Sequence, residues 1–136
     1  MANPVTLPPA VSLPDALAVA LVAGSPLVVM VSLEGCPFCK IVRESYLVPI
    51  RQEQGLPVVQ VDMRSQRRVK NFNGSTTTHE ALIAAWHVEL APTVLFFGRQ
   101  GAEAAQRLVG GYIPDFYGAY LEQRLESARR AVGKAG

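Results

Sequence analysis

The chain of 136 residues contains two cysteines, Cys36 and Cys39, which are separated by Pro37 and Phe38. A pair with this spacing can be a structural disulfide, half of a metal site, a haem attachment point or a redox couple. A disulfide between these residues would close a very short loop, and short loops gain less stabilisation from a cross-link than long ones. Stabilisation of the fold is therefore a poor reason for the pair, and redox chemistry becomes the favoured interpretation.

The elements on either side of the pair place the first cysteine where it can react. Residues 27–33 form a β-branched apolar run, which predicts a buried central strand. Residues 40–50 predict a helix, and Pro37 suits its first turn, where a missing N–H costs nothing. Cys36 is therefore expected at a helix N-terminus, where unpaired N–H groups and the helix dipole favour the thiolate, which is the reactive form of cysteine.

Cys39 comes one helical turn later and is expected to be more buried and less acidic than Cys36. This asymmetry predicts a two-step exchange. Cys36 attacks a substrate disulfide and forms a mixed disulfide, and Cys39 then resolves that intermediate by attacking Cys36. In this interpretation the dithiol is the only redox group, and no further cofactor is needed.

The remaining elements follow from hydrophobic periodicity, caps and turn signals. They are a helix that begins after Ser12 and ends at Gly24, a strand over residues 56–63, a helix capped by Thr77 or Thr78, strands over residues 91–98 and 105–111, and a final helix capped by Asp115. The early strand–helix–strand order predicts parallel pairing, and the later strands predict an antiparallel hairpin. We therefore expect an α/β fold with a mixed sheet of about four strands flanked by helices.

Some segments have more specific expectations. Residues 1–11 are expected to be an extended arm and residues 12–136 a single domain. Residues 65–78 have no clear assignment apart from a turn at Asn73-Gly74.

Pro49 is expected to end or kink the helix after the cysteines. The buried side of that helix is predicted to consist of Ile41, Val42, Tyr46 and Leu47. The buried side of the final helix is predicted to consist of Tyr117, Leu121, Leu125, Ala128 and Val132.

The strand, the CPFC motif and the helix resemble the corresponding unit of the thioredoxin superfamily. Two further stretches resemble the same family. Residues 91–93, APT, open an apolar strand as the cis-proline loop of thioredoxins does, and residues 108–111, LVGG, resemble the glycine turn before their last helix. The resemblance covers residues 26–132 and is closest in character to bacterial cell-envelope thioredoxin-like proteins.

The resemblance implies a thioredoxin-like fold and a thiol–disulfide oxidoreductase, most simply a reductase. Its partners would be protein or peptide thiols and disulfides, with an upstream redox partner to regenerate it. Pro92 would be cis and face the cysteines, and the backbone of Ala91 would pair with an extended substrate peptide. Gly110 would leave room beside that peptide, and Pro37 and Phe38 would lie on the exposed rim.

The sequence departs from the family at two places. Thioredoxins carry a buried acid six residues before the first cysteine, and this chain has Met30 there. The nearest acid in sequence is Glu34, which is expected to be a local base, a negative charge that opposes the thiolate of Cys36, or an ordinary exposed loop residue. The dipeptide Pro37-Phe38 also differs from that of typical thioredoxins and of the strong oxidants of the family, which leaves the direction of electron flow open.

Two alternatives belong to other functional classes. A thioredoxin-fold binding module could hold partners without turnover through Phe38, Trp86 and Tyr112, although core packing is the simpler interpretation of the last two. A metal site would draw its ligands from the two cysteines, His79 and His87, but their spacing does not match a zinc finger. His79 is expected at the surface and His87 in packed surroundings. Covalent haem is excluded because Lys40 stands where that motif needs histidine.

Charge and hydropathy limit the partners and the location. The net charge is +2, and the densest basic cluster, in residues 64–70, is interpreted as a solvated face with no nucleic acid bound.

Residues 11–31 are apolar, but Pro14, Asp15 and the break at residues 24–26 argue against a membrane span. No basic residue precedes Lys40, which argues against a signal peptide. We expect a mature cell-envelope or periplasmic protein, with a cytoplasmic location as the alternative.

Overall fold

The computed structural model describes residues 6–110 and 114–134, with the side chains of 114, 115 and 134 left out. The side chain of Asp115, the predicted cap, is therefore not among the described side chains, and Gly111 and Tyr112 lie outside the described residues. A π-helical segment, Val42–Leu47, joins the second and third helices. The helices and strands, in chain order, are α1 Leu13–Val22, β1 Leu27–Ser32, α2 Pro37–Ile41, α3 Val48–Gln54, β2 Val58–Asp62, β3 Arg68–Lys70, β4 Thr76–Thr78, α4 His79–Ala85, β5 Thr93–Phe97, β6 Leu108–Val109 and α5 Pro114–Lys134.

Four strands form one mixed sheet in the order β2-β1-β5-β6. Strand β1 pairs in parallel with β2 and antiparallel with β5, so that Val29 lies between Val59 and Leu95. Strand β6 pairs antiparallel with β5. The predicted mixed sheet of about four strands flanked by helices is confirmed.

Both faces of the sheet are covered, which explains the unbroken apolar run in β1. Val28 and Met30 face a core formed with α3 and α5, whereas Val29 and Val31 face a second core formed with α1 and α4. The predicted buried side of α5 is confirmed, since all five of its residues are buried. The helix that follows the cysteines and the final helix therefore pack on the same face of the sheet.

The helix after the cysteines differs from its prediction. Pro49 does not end it, because the chain continues as α3 to Gln54 and Gly55 then takes a left-handed conformation. The wide π-helical turn comes directly before this proline, which has no N–H to continue the regular bonding pattern. Val42 and Leu47 are buried, but the prediction for Ile41 is wrong, because its side chain is 42% exposed. Adjacent helical residues point about 100° apart, so Ile41 turns outward when Val42 turns inward.

The described part of the arm is docked against the sheet. The Gln60 N–H donates to the Pro8 carbonyl, and the Ala10 N–H donates to the Gln60 carbonyl, each at 2.9 Å. Leu7 and Ala10 are buried. Strand β2 is the outer strand of the sheet, so this segment adds a short parallel stretch along its edge.

Residues 65–78, which had no assignment, contain a β-hairpin. Strands β3 and β4 pair antiparallel around the predicted turn, in which Gly74 has a φ of 87°. The Lys70 N–H donates to the Val11 carbonyl at 2.9 Å, and the Phe72 ring packs on Phe97 with centroids 4.9 Å apart. The hairpin is therefore held to the arm and to the second core.

His79 is completely buried, so its expected place at the surface is wrong. Its Nδ1 accepts the Asp62 N–H at 3.1 Å, and its Nε2 lies 2.9 Å from the Ala10 carbonyl. Because a carbonyl can only accept, the proton is on Nε2 and the ring is neutral. The imidazole thus joins the start of α4, the end of β2 and the arm.

We expect His79→Ala to lower the free energy of unfolding by about 2–4 kcal/mol, because it leaves two buried backbone groups unpaired and opens a cavity. Urea denaturation followed by circular dichroism measures this change. His87 is the matched control, since it is exposed and has a φ of 56° that asparagine tolerates. His87→Asn should change stability by less than about 0.5 kcal/mol. Equal losses in the two variants would contradict the role assigned to His79.

Candidate active site

Cys36 is the N-cap residue of α2, and it follows β1 after a short loop. Gly35 has a φ of 81°, a conformation that favours glycine and lets the chain turn from the strand into the helix. The Cys36 sulfur accepts the Cys39 N–H at 3.2 Å and is half-buried. The Cys36 sulfur therefore has a backbone N–H donor within the first turn of α2.

Cys39 lies beneath Cys36 and is 1% exposed, as the spacing predicts. Burial, together with the hydrogen bond with the Cys36 sulfur, raises the pKa of Cys39 to about 11. A backbone hydrogen bond at Leu33 and the Ser32 hydroxyl act in the opposite direction. Both cysteines are free thiols in this structure, and Cys39 therefore holds its proton at neutral pH.

The third site segment is the loop before β5. The Ala91–Pro92 peptide bond is cis, which is the isomer that the resemblance implies. The Ala91 carbonyl accepts a weak hydrogen bond from the Cys36 thiol at 3.9 Å, and the Pro92 carbonyl accepts the Gly110 N–H at 2.7 Å. Ala91, Pro92 and Gly110 are thus brought together beside the cysteines.

Exposed apolar side chains flank these segments. Pro37 and Phe38 are exposed, as the resemblance implies for the rim. Ile41 in α2, Leu90 before the cis bond and Val109 before Gly110 are also exposed. Each segment that contributes to the site therefore carries apolar surface next to it in the chain.

A polar groove of about 900 Å³ opens beside Cys36 and Pro37. Its other lining residues come from the end of β1 and the loop after it, the helical turns that follow Cys36, β2 and the loop after it, and Thr6 of the arm. Glu34 lines the groove and is exposed. Arg64 and Arg67 of the predicted basic cluster also line the groove and are exposed. Glu34 therefore lies at the edge of the site, beside the predicted nucleophile.

A hydrogen-bonded network in this groove was missed by the sequence analysis. One terminal nitrogen of Arg43 donates to the Ser32 hydroxyl oxygen and to the Gln60 carbonyl oxygen Oε1, both at 3.3 Å. The Gln60 amide in turn donates to the Asp62 carboxylate at 2.7 Å. The sequence contains one indication of this network, because Ser32 is the polar residue of an otherwise apolar strand.

The floor of the site is apolar and neutral. Met30 is completely buried in the same core as Cys39, and none of the described acidic side chains is buried. The Tyr117 ring packs on Tyr46 with centroids 5.1 Å apart. Burial raises the pKa of Tyr117 above its ordinary range, with smaller contributions from Tyr46 and Cys39, so this phenol stays protonated.

The other residues proposed for binding or metal coordination lie elsewhere. His79 has both nitrogens engaged, and His87 is exposed, which corrects the expectation that it is packed. In residues 6–110 and 114–134 no three side chains of His, Cys, Asp or Glu lie close enough to hold a metal ion. Trp86 packs on Phe97, with centroids 5.1 Å apart, in the core on the opposite face of the sheet from Cys39. It therefore does not form one surface with Phe38.

Known structures share this arrangement of helices and strands. A thioredoxin from Thermus thermophilus is 20% identical, with a TM-score of 0.60 over 96% of this chain and 94% of that one. The periplasmic thioredoxin SoxS from Paracoccus pantotrophus is 18% identical, with a TM-score of 0.51 over 76% of this chain and 98% of that one. Trxlp from Edwardsiella tarda is 24% identical, with a TM-score of 0.54 over 82% of this chain and 98% of that one. At these identities the likeness shows the fold alone.

Two further findings concern the chain as a whole. None of the described helices combines the length and the apolar character needed to cross a membrane. No curated protein matches the chain. The family described as thioredoxin-like domain, however, matches it over residues 13–125, which is most of its length. The chain therefore belongs to the family of thioredoxin-like domains.

Proposed function

We propose that this protein is a thiol–disulfide oxidoreductase that acts on protein or peptide substrates through Cys36 and Cys39. A thioredoxin-like fold with two neighbouring cysteines is consistent with that activity. The observation that carries the proposal is the arrangement of the two sulfurs. Cys36 is half-buried, accepts the Cys39 N–H and faces the cis-proline loop, while Cys39 is buried beneath it.

The exchange proceeds in two balanced steps. The Cys36 thiolate attacks one sulfur of a substrate disulfide, and the other substrate sulfur leaves with the bonding electron pair and takes a proton from water. The Cys39 thiolate then attacks Cys36, which forms the Cys36–Cys39 disulfide and releases the second substrate thiolate. The substrate gains two electrons, and an upstream redox partner restores the dithiol. No metal or organic cofactor takes part.

The loop and rim residues supply substrate binding in this proposal. The Ala91 backbone, held beside Cys36 by the cis bond to Pro92, pairs with an extended peptide, and Gly110 leaves space for it. Pro37 and Phe38 contact the substrate from the opposite side. Exposed apolar residues next to each site segment favour a protein or peptide over a small polar disulfide, because contiguous apolar surface commonly marks interaction sites. Glu34 is proposed as a modulator of Cys36 from the edge of the groove.

We favour the reducing direction. A strong oxidant of this type owes its potential to stabilisation of its reduced, thiolate form. Burial raises the pKa of Cys39 to about 11, so such stabilisation would have to come from the Cys36 sulfur, whose described donor is one neutral backbone N–H at 3.2 Å. The pair should therefore hold its electrons less firmly than that of a strong oxidant.

We further propose one domain over residues 12–136, with the arm of residues 1–11, working in the cell envelope. The location rests on the resemblance and on the periplasmic thioredoxin among the similar structures. A cytoplasmic location is the alternative. Fractionation of cells that express the full-length protein, followed by immunoblotting, separates the two.

Trapping of a mixed disulfide tests the proposed function. We expect Cys39→Ser to accumulate a covalent adduct with a disulfide-containing protein such as insulin, because the resolving thiol is missing, and dithiothreitol should release it. Cys36→Ser is the matched control and should form no adduct, with catalysed insulin reduction lowered at least about a hundredfold. Non-reducing gels and mass spectrometry detect the adduct. A binding module without turnover would retain the partner equally in both variants and form no thiol-sensitive adduct.

A further inference from the structure

Ser32 is a buried hydroxyl directly above the apolar floor of the site. It is 3% exposed and follows Met30 by two residues, so both side chains lie on the same face of β1 as Cys39. A buried hydroxyl in such a place is normally hydrogen-bonded. This serine therefore lies one strand period from Met30, the position at which thioredoxins carry the buried acid.

The direction of the hydrogen bonds at Ser32 is determined by its partner. An arginine nitrogen can only donate, so the Ser32 oxygen accepts from Arg43 at 3.3 Å. The hydroxyl hydrogen of Ser32 is then free for another acceptor. Cys39 packs on the same face of β1, and the Ser32 hydroxyl lowers the pKa of its thiol, so a Cys39 thiolate is the acceptor that this hydrogen can serve.

The guanidinium of Arg43 is held in place by a second contact. The same nitrogen donates to Gln60 at 3.3 Å, and Gln60 is itself anchored to Asp62 at 2.7 Å. Arg43 follows Cys39 by four residues, which is about one helical turn, and it lines the solvent-open groove. A permanent positive charge is thus hydrogen-bonded to the hydroxyl that lies on the Cys39 side of β1.

We propose that Arg43 and Ser32 form a relay that stabilises the Cys39 thiolate during the resolving attack. The inference rests on the proposed function. Cys39 loses its proton to solvent, and its thiolate attacks Cys36 of the mixed disulfide. The Cys36–Cys39 bond forms, the bond from Cys36 to the substrate sulfur breaks, and the substrate leaves as a thiolate that water protonates. Ser32 is the catalytic group that donates to the reacting thiolate, and Arg43 is the positioning residue that holds the Ser32 hydroxyl.

The relay can be tested with an aromatic disulfide, dithionitrobenzoate, because attack by each cysteine releases one coloured thiolate. The reagent is used in excess, so that Cys36 reacts in a fast first phase and Cys39 resolves the adduct in a second phase. We expect Ser32→Ala to slow the second phase about tenfold or more, since a hydrogen bond to a charged group is lost. Arg43→Met should slow it about five- to tenfold, while Arg43→Lys keeps a cationic donor and stays within about threefold. The first phase should remain within about twofold in all three variants.

Two controls separate the relay from general effects. Ser32→Thr keeps the hydroxyl, and Arg51→Met removes a charge from an exposed position on α3. Both should leave the second phase within about threefold of the natural protein. In protein that carries Cys36→Ala, the ¹³Cβ resonance of labelled Cys39 should also titrate at a higher pH when Ser32 or Arg43 is replaced. If Ser32→Ala does not fold, the two Arg43 variants carry the test.

Each contrary outcome has a definite meaning. A second phase unchanged in Ser32→Ala and Arg43→Met overturns the relay and leaves the proposed function intact. Equal slowing by Arg51→Met overturns it too, because the effect would then follow net charge alone. A natural protein with no first phase overturns the proposed function, and the relay with it.

Discussion

Equilibrated with glutathione redox buffers, the Cys36–Cys39 pair is expected to show a reduction potential near about −270 mV, far from the about −120 mV of the strongest dithiol oxidants. The gap between these values corresponds to roughly 7 kcal/mol for a two-electron couple. The strongest oxidants depend on a highly stabilised thiolate at the attacking cysteine. The described donor to the Cys36 sulfur is one neutral backbone N–H at 3.2 Å, and burial raises the pKa of Cys39 to about 11, so the described residues show no comparable source of stabilisation.

The measurement should follow the thiols themselves. Trp86 packs on the opposite face of the sheet from Cys39, so tryptophan fluorescence is a poor reporter of the disulfide. Alkylation of free thiols at each buffer ratio, followed by mass spectrometry, gives the oxidised fraction directly. Cys36→Ser is the control, because it cannot form the internal disulfide. A potential close to that of the strong oxidants would reverse the proposed direction of electron flow.

Met30→Asp is expected to lower the free energy of unfolding by about 3–5 kcal/mol at neutral pH, although thioredoxins carry an acid at the corresponding position. Met30 is completely buried among apolar side chains, and Arg43, which reaches this face of β1 at Ser32, already binds Ser32 and Gln60. A carboxylate there would lose its hydration without a partner. Urea denaturation at neutral pH measures the loss.

The pH dependence gives this prediction a second readout. Burial of an unpaired carboxyl raises its folded-state pKa above the unfolded value of about 3.9. The loss relative to the natural protein should therefore grow as the pH rises above about 4, and only the packing loss should remain below it. Met30→Leu is the matched control and should cost less than about 1.5 kcal/mol at every pH. A stable Met30→Asp variant with a flat pH profile would show that the site accommodates an acid.

The sequence predicted the parts of the fold and site that depend on local pattern. β1 is apolar on both faces, and the buried side of α5 repeats at helical spacing, so both were assigned correctly. The geometry of the cysteine pair was predicted for the same reason, because a strand, a CPFC motif and a helix are consecutive in the chain. Three residues of separation determine that Cys39 lies one turn inside from Cys36.

The misassigned residues depend on distant parts of the chain. His79 was placed at the surface because of its residue type, yet its partner Ala10 lies 69 residues away. Arg43 was missed because its partners Ser32 and Gln60 lie 11 and 17 residues away, on two different strands. The π-helical turn at residues 42–47 also gives no periodic signal of its own. Only the folded arrangement brings such groups together, and the Ser32–Arg43 contact therefore had to be seen rather than predicted.

The docked arm also bears on how copies of this protein behave in concentrated solution. An outer strand with free N–H and C=O groups invites neighbouring molecules to pair with it and aggregate. On β2, both backbone groups of Gln60 are already bonded to residues 8 and 10, and the Asp62 N–H is bonded to His79. Residues 8–10 and the buried imidazole thus occupy backbone groups in the middle and at the end of the β2 edge, and these groups are not available for pairing with a neighbouring molecule.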